Sequence, residues 1–180
     1  LQEVGRRLQA TVRPADTVAR FGGDEFAILL DGVNDSSEAA DVAGRMLRGL
    51  EQQFEVEGKQ VYPRASVGIC LVDSEFGATD AEELLRNADV AMYMAKRDSK
   101  GSYRVFEPEM HERVVERIEL QAELQQAVEL NQLEVHYQPV VRLDEEADYG
   151  VEALLRWMHP TRGTIPPLQF IPLAEETGLI

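Results

Sequence analysis

The stretch ARFGGDEFAILL, residues 19–30, places two glycines and two adjacent acids between two apolar runs. Glycine adopts positive φ without steric cost, so Gly22 and Gly23 between β-prone segments predict a tight hairpin turn. Consecutive strand residues point to opposite faces, but a turn relaxes that constraint, and the carboxylates of Asp24 and Glu25 can approach one point. Such a pair suits Mg²⁺ bound with nucleotide phosphates, although an ordinary solvent-exposed turn has the same local sequence.

Apolar periodicity on both sides of the hairpin predicts helices and short strands. Residues 1–12 carry apolar side chains at helical spacing, and residues 36–54 and 79–101 are predicted to form amphipathic helices. Residues 65–72 are β-prone and apolar on both faces, which predicts a central strand, and residues 102–106 are predicted to form a last short strand. This order predicts an α/β (α+β) sandwich with helices over a mainly antiparallel sheet.

Two of these helices have predictable starts. Ser36 or Ser37 is positioned to cap the first of them, and Thr79 or Asp80 the second. The apolar positions of the helix over residues 36–54 recur at helical spacing and comprise Val42, Ala43, Met46, Leu47, Leu50 and Phe54. This stripe predicts a buried face.

The chain changes character at residues 107–132, which are charged and free of glycine. Apolar residues recur through this segment at Val114, Ile118, Leu120, Leu124 and Val128. We interpret residues 108–131 as a linker helix, although a surface helix packed on the first domain fits its first half equally well.

The remaining segment starts with two predicted strands, residues 133–143 and 149–157, which are separated by an acidic turn. A loop is expected over residues 159–167 and a helix over residues 168–178, ended by a glycine. This pattern alone does not define a fold.

Composition restricts the classes of partner. The net charge of −15 argues against nucleic acid, because phosphate backbones require basic surfaces. The single cysteine, Cys70, excludes a disulfide framework and fits a reducing, cytoplasmic compartment. No run is apolar enough to span a membrane, so we expect no membrane contact by this segment, with an anchor elsewhere in the protein left open. Because the chain begins with Leu1, we expect it to be part of a longer protein.

Four segments in order and spacing resemble the GGDEF family, the diguanylate cyclases, over residues 1–107. They are RPAD, RFGGDEFAILL, SVGI and AEELLRNADVAMYMAKRDSKG. The resemblance implies a ferredoxin-like sandwich related to nucleotide cyclases. It further implies a homodimer in which each domain binds one GTP, and the two GTP molecules condense to cyclic di-GMP.

The resemblance also implies roles at the hairpin. Gly22 and Gly23 would let the nucleotide lie against the turn. Asp24 would be a Mg²⁺ ligand and the main catalytic carboxylate, and Glu25 would support metal binding. The family carries another metal-binding aspartate on its first strand, and this chain begins after that position, so we expect the segment alone to be inactive.

Two basic residues and an RxxD pattern complete the implied nucleotide sites. Lys96 and Lys100 match phosphate-contacting positions, although the charge of a helix C-terminus explains lysines there equally well. The second position is more often arginine in the family, and lysine supplies the charge without the bidentate fork. Arg13 and Asp16 match the family's inhibitory site for the product cyclic di-GMP.

A second resemblance begins at residue 132. EVHYQPVV, GVEALLRWMHPTRG and FIPLAEETGLI are similar to the start of the EAL family, the cyclic di-GMP phosphodiesterases, whose fold is a TIM-type barrel. The resemblance implies that Glu152 binds Mg²⁺ or Mn²⁺ and that Gln138 and Arg156 contact the substrate. Glu175 falls at a further acidic position of that site. Alternation places Glu152 and Arg156 on one face of a strand, either inside the barrel or in solvent.

Together these features indicate part of a tandem GGDEF–EAL protein that makes cyclic di-GMP from GTP and hydrolyses it to pGpG. Three forms stay open: a dominant cyclase, a dominant phosphodiesterase with a GTP-sensing GGDEF domain, and a dual enzyme. A non-catalytic cyclic di-GMP receptor is the alternative from another functional class.

Overall fold

The computed structural model describes residues 1–33, 35–72, 80–141 and 148–180. These residues form two compact units, Leu1–His111 and Glu112–Ile180. The elements of the first unit are α1 (Gln2–Thr11), β1 (Thr17–Gly22), β2 (Glu25–Leu29), α2 (Ser36–Glu51), β3 (Phe54–Val56), β4 (Lys59–Val61), β5 (Val67–Ile69), α3 (Ala81–Asp98) and β6 (Tyr103–Val105). The mixed α/β class is therefore confirmed.

The strands of this unit form three separate two-stranded ladders within the described ranges, rather than one continuous sheet. The pairs β1–β2 and β3–β4 are antiparallel, as expected for hairpins. In contrast, β5 and β6 are parallel, because α3 carries the chain back across the strand pair before β6 begins. The segment expected to be a central strand thus has one paired neighbour among the described strands.

The β3–β4 hairpin was not expected from sequence. Its turn residues Glu57 and Gly58 have φ of 50° and 75°, and each strand has three residues. Glutamate rarely adopts positive φ, so a Glu-Gly turn lacks the sequence signal that an Asn-Gly turn gives. Strands of three residues are also too short to show an alternating apolar pattern. As a consequence Phe54, expected on α2, lies in β3 because the helix ends at Glu51.

The core of the first unit lies beneath the β1–β2 hairpin. Leu8 of α1 packs with Val42, Met46 and Leu50 of α2 and with Phe54. Phe26 and Ile28 of β2 pack against this cluster from the hairpin side. The apolar stripe predicted for α2 is confirmed, and its burial supports the base of the hairpin. The cap of α2 is Asp35 rather than a serine, because its carboxylate accepts from the amides of Ser37 and Glu38 at 2.8 and 3.0 Å.

The cap expected at Asp80 is confirmed by its bond from the Glu82 amide at 3.2 Å. The alternative cap at Thr79 and most of the acidic turn predicted between the last two long strands lie outside the described residues.

Arg7 closes the C-terminal end of α2. Its guanidinium donates to the carbonyls of Gly49, Gln52 and Gln53 at 3.1, 2.9 and 2.7 Å. It also stacks 3.8 Å from the centre of the Phe54 ring. Carbonyls in the last turn of a helix have no partner within the helix, so one cation satisfies several at once.

We therefore expect Arg7→Ala to lower the free energy of unfolding by about 2 kcal/mol, since charge-assisted hydrogen bonds to a helix end are lost. Chemical denaturation monitored by circular dichroism measures this. The matched control is Arg6→Ala, because Arg6 is exposed and, of the described residues, its guanidinium bonds to Glu3 alone. Equal effects of the two substitutions would contradict the capping role.

The second unit contains the C-terminal part of α4 (Glu109–Glu129), followed by β7 (Leu133–Val141), β8 (Asp148–His159), β9 (Gly163–Ile165) and α5 (Pro167–Thr177). The strands form one antiparallel sheet in the order β7-β8-β9. The loop expected over residues 159–167 contains β9, which the sequence pattern missed because it has three residues. The expected end of the last helix is confirmed, with Gly178 at φ 72°.

The helix α4 passes from one unit to the other. Near its start, Met110 is buried and His111 Nε2 lies 2.8 Å from Asn87 Oδ1 within the first unit. Further along, Leu120 and Leu124 pack with Trp157 and Phe170 in the core of the second unit. Ile118 and Val128, also expected as apolar positions of this helix, are exposed. No helix in the described ranges combines the length and apolar character required to cross a membrane.

Candidate functional site

The turn of the β1–β2 hairpin consists of two residues. Gly22 pairs with Glu25, so Gly23 and Asp24 form the loop. The register shifts between Arg20 and Gly22, which places a bulge at Phe21. Gly23 has a positive φ of 46°, whereas Gly22 does not have positive φ. Positive φ was expected at both glycines and is found at Gly23 alone of the two.

The turn presents its two acids to solvent. Asp24 and Glu25 are exposed, and neither carboxylate has a hydrogen bond or ion pair with the described residues. A carboxylate without an internal partner keeps all its lone pairs for a ligand. Both carboxylates are therefore available to a ligand, and their approach to one point stays a prediction.

Gly22 has open space in place of a side chain. A Cβ built at Gly22 would meet no atom within 4 Å. Since Gly22 lacks positive φ as well, neither the local backbone nor packing in this structure requires glycine there. The space beside the turn lets another molecule approach the backbone closely.

The donor set at the turn fits a magnesium ion bound together with phosphate oxygens. Within the part of the chain that the structure describes, no three His, Cys, Asp or Glu side chains converge on one point. Mg²⁺ is commonly held by one or two carboxylates plus substrate phosphates and water. Asp24 and Glu25 supply the two carboxylates of such a set.

The lysines expected to contact phosphate lie at the end of α3. Lys96 is in the last helical turn and Lys100 follows the C-cap, Ser99. Both are exposed. Among the described residues, no hydrogen bond or ion pair joins either lysine to Asp24 or Glu25, so the structure does not bring the two groups into contact.

Arg13 and Asp16 form a turn after α1. The Asp16 carboxylate accepts from the amide of Arg13 at 2.8 Å and from the amide of Asp31 at 3.1 Å. The exposed Arg13 guanidinium pairs with Glu38 at 2.8 Å. These two backbone hydrogen bonds of Asp16 were not predicted from the sequence. The one indication of them was the turn that contains Asp16, because Asp side chains commonly bond to backbone amides in turns.

The second unit brings three predicted residues onto one face. Gln138 of β7 lies directly opposite Glu152 of β8 in the antiparallel register. Arg156 lies four residues beyond Glu152 on the same strand, opposite Glu134. Because side chains alternate along a strand, Gln138, Glu152 and Arg156 share a face. Gln138 and Glu152 are exposed.

Glu175 is separate from this cluster in the described structure. It is exposed on α5, and its side chain contacts neither Glu152 nor Arg156 through a hydrogen bond or ion pair among the described residues. Its backbone carbonyl accepts from the Gly178 amide at 3.3 Å. The structure therefore positions Glu175 by the end of its helix and leaves the side chain in solvent.

Comparison with known proteins supports these two units separately. The profile of the diguanylate cyclase GGDEF domain matches residues 1–102, more than half of the chain. The chain belongs to the GGDEF family. The profile of the EAL domain matches residues 121–180, so a GGDEF domain is followed by the start of an EAL domain.

Curated relatives of this chain are named for making or hydrolysing cyclic di-GMP. This GGDEF–EAL chain is 44% identical over 180 residues to the bifunctional diguanylate cyclase/cyclic di-GMP phosphodiesterase MucR of Pseudomonas aeruginosa, covering all of the chain and 26% of the relative. It is 42% identical to the cyclic di-GMP phosphodiesterase PdeR of Escherichia coli, covering all of the chain and 27% of that relative. The chain therefore spans about a quarter of these proteins.

A solved structure agrees with the fold of the GGDEF–EAL chain. The X-ray structure of an EAL/GGDEF domain protein from M. capsulatus superimposes with a TM-score of 0.55 at 44% identity. The match covers 60% of this chain and 68% of that chain. At 44% identity, a shared fold indicates membership of the same family.

Proposed function

We propose that the protein carrying this chain turns over cyclic di-GMP. In this proposal the GGDEF domain, residues 1–107, condenses two GTP molecules, and the EAL domain, which starts at residue 132 after the linker helix, hydrolyses cyclic di-GMP to pGpG. The observation that carries it is the two-residue turn beside open backbone, where Asp24 and Glu25 are exposed and bond to none of the described residues. The relatives MucR and PdeR, named for these activities, support it.

At the turn, the residues of this chain bind and orient GTP. Asp24 and Glu25 would hold Mg²⁺, which would supply charge neutralisation at the phosphates and activation of the attacking oxygen. Gly22 and Gly23 admit the phosphates to the backbone, and Lys96 and Lys100 are proposed to contact phosphate oxygens. Condensation needs two GTP, so we propose a homodimer in which each copy presents one. We propose that this step takes place in the cytoplasm, where GTP is available.

In the second unit, the face shared by Gln138, Glu152 and Arg156 is the proposed start of the hydrolase site. Glu152 would hold Mg²⁺ or Mn²⁺, which would supply activation of the attacking water. Arg156 offers a guanidinium fork to a phosphate, and Gln138 offers amide donors and acceptors to the substrate. Glu175 is proposed to complete the acidic set.

Product inhibition is proposed at Arg13 and Asp16. Because Asp16 already bonds to two backbone amides, ligand binding there uses the Arg13 guanidinium first. The Arg13 ion pair with Glu38 is exposed, so its loss costs little.

The test is turnover by the protein that carries this chain. Wild type and Glu152→Gln are incubated with Mg²⁺ and either GTP or cyclic di-GMP, and products are separated chromatographically. We expect cyclic di-GMP from GTP, and pGpG from cyclic di-GMP in the wild type only. Hydrolysis alone identifies a phosphodiesterase with a GTP-sensing GGDEF domain. Binding of cyclic di-GMP without consumption of either nucleotide identifies a receptor and refutes the proposed turnover.

Gln138→Ala should raise the KM for cyclic di-GMP about tenfold with a smaller change in kcat, because a substrate contact worth roughly 1.4 kcal/mol is removed. Steady-state hydrolysis measures both constants. Gln126→Ala, an exposed amide on α4, is the matched control. Unchanged kinetics in Gln138→Ala would remove Gln138 from the site.

A further inference from the structure

The turn that carries Asp24 is held by an arginine from its own strand. Arg20 lies on β1 opposite Phe26, immediately before the bulge. Its Nε and Nη2 both donate to the carbonyl oxygen of Gly23, at 3.1 and 2.6 Å. One guanidinium therefore contacts a single backbone oxygen in the two-residue loop through two of its donors.

This contact acts on the peptide unit that leads into Asp24. The Gly23 carbonyl belongs to the plane that joins Gly23 to Asp24, and a peptide plane is rigid. Fixing its oxygen therefore removes rotation about the bonds that flank this plane. Glycine at positive φ has little intrinsic preference for one conformation, so an external constraint on Gly23 has a large effect.

The same contact leaves the acids free. Arg20 forms no ion pair with Asp24 or Glu25 among the described residues, although all three are at the hairpin tip. An arginine that paired with these carboxylates would compete with a metal ion for their oxygens. Arg20 instead donates to a neutral carbonyl.

We propose that Arg20 is a positioning residue that fixes the Gly23–Asp24 peptide and so holds the Asp24 carboxylate in a productive orientation. This inference rests on the proposed cyclase function for its catalytic consequence. The contact itself is independent of that function, because it is formed within the hairpin. Misplacement of a reacting group by a fraction of an ångström lowers turnover without abolishing ligand binding.

The first test needs no activity. Amide hydrogen exchange of residues 22–25 is compared in the wild-type protein, Arg20→Ala, Arg20→Lys and the control Arg86→Ala, which removes an exposed arginine from α3. We expect exchange to accelerate about tenfold in Arg20→Ala, by opening of the turn, and to stay unchanged in Arg86→Ala. Equal exchange in Arg20→Ala and the wild type would overturn the proposal.

The second test follows cyclic di-GMP synthesis by the protein that carries this chain. We expect Arg20→Ala to lower kcat about 10- to 100-fold with KM for GTP within about threefold, Arg20→Lys to be intermediate, and added guanidinium ion to restore part of the loss in Arg20→Ala. A raised KM for GTP with unchanged kcat in Arg20→Ala would overturn the proposal, because it would show that Arg20 contacts the substrate. If the wild type makes no cyclic di-GMP, the proposed cyclase fails, and the exchange comparison alone decides whether Arg20 fixes the turn.

Discussion

Replacing Asp24 with asparagine should reduce cyclic di-GMP synthesis about 100-fold or more, while the fold stays intact. The reason is the loss of a negatively charged metal ligand, since an amide binds Mg²⁺ far more weakly than a carboxylate and metal-assisted catalysis contributes several kcal/mol. Stability should not change, because Asp24 is exposed and its side chain bonds to no described residue. Synthesis is measured in the protein that carries this chain, at several Mg²⁺ concentrations.

Asp41→Asn is the matched control for this experiment. Asp41 is exposed on α2, so the substitution removes the same charge from the same unit away from the turn. We expect its synthesis to equal that of the wild type. An Asp24→Asn protein with wild-type synthesis would show that this carboxylate is not part of the catalytic machinery. A loss shared equally by both variants would attribute the effect to overall charge.

Gly68→Ala should destabilise the first unit by about 3 kcal/mol or more, at the upper end of the range for overpacked cores. A Cβ on Gly68 would overlap the carbonyl oxygen of Ala88 and the amide nitrogen of Met92, and would lie 2.9 Å from the Ala88 carbonyl carbon. All three atoms belong to the backbone of α3, which cannot yield as a side-chain tip does. Relief therefore requires α3 to move away from β5.

Two spectroscopic probes show which unit Gly68→Ala destabilises. Circular dichroism follows the helices of both units during denaturation, while the fluorescence of the chain's single tryptophan, Trp157, reports on the second unit. We expect the unfolding transition followed by circular dichroism to move to lower denaturant concentration, and the transition followed by Trp157 fluorescence to move less. Gly49→Ala is the control, because its Cβ would make an ordinary 3.9 Å contact with Thr11. Alanine there should stabilise α2 slightly. Similar unfolding of Gly68→Ala and the wild type would contradict the close packing.

The elements with long apolar periodicity were predictable from sequence. A repeating apolar pattern is recognisable only in elements of sufficient length, and these are α2, the β1–β2 hairpin and the strand pair β7–β8. The three-residue strands β3, β4 and β9 have no such period, and their pairing depends on turns whose geometry is set by φ values and side-chain caps. The turn before β9, for example, is held by His159 Nδ1, which accepts from the amides of Thr161 and Arg162.

The identities of the candidate site residues stay predictions from the family motifs, and their geometry was only partly predictable. The family motifs indicate Asp24, Glu25, Gln138, Glu152 and Arg156 as site residues, and alternation along a strand predicted that Glu152 and Arg156 share a face. The direct pairing of Gln138 with Glu152 depends on strand register, which a slip of one residue would change. The bonds from Asp16 to two amides and from Arg20 to Gly23 depend on how the chain folds back on itself.

The family of the chain, its two-part order and the types of residue available for chemistry can be read from the amino-acid sequence, because motifs and periodicity are properties of neighbouring residues. It takes the folded chain to show that the backbone of α3 requires glycine at position 68, whereas no described residue packs against position 22. Both are glycines in family motifs, and nothing local distinguishes them. The difference arises from which atoms the fold brings within van der Waals distance, and that distance is set by elements distant in the chain.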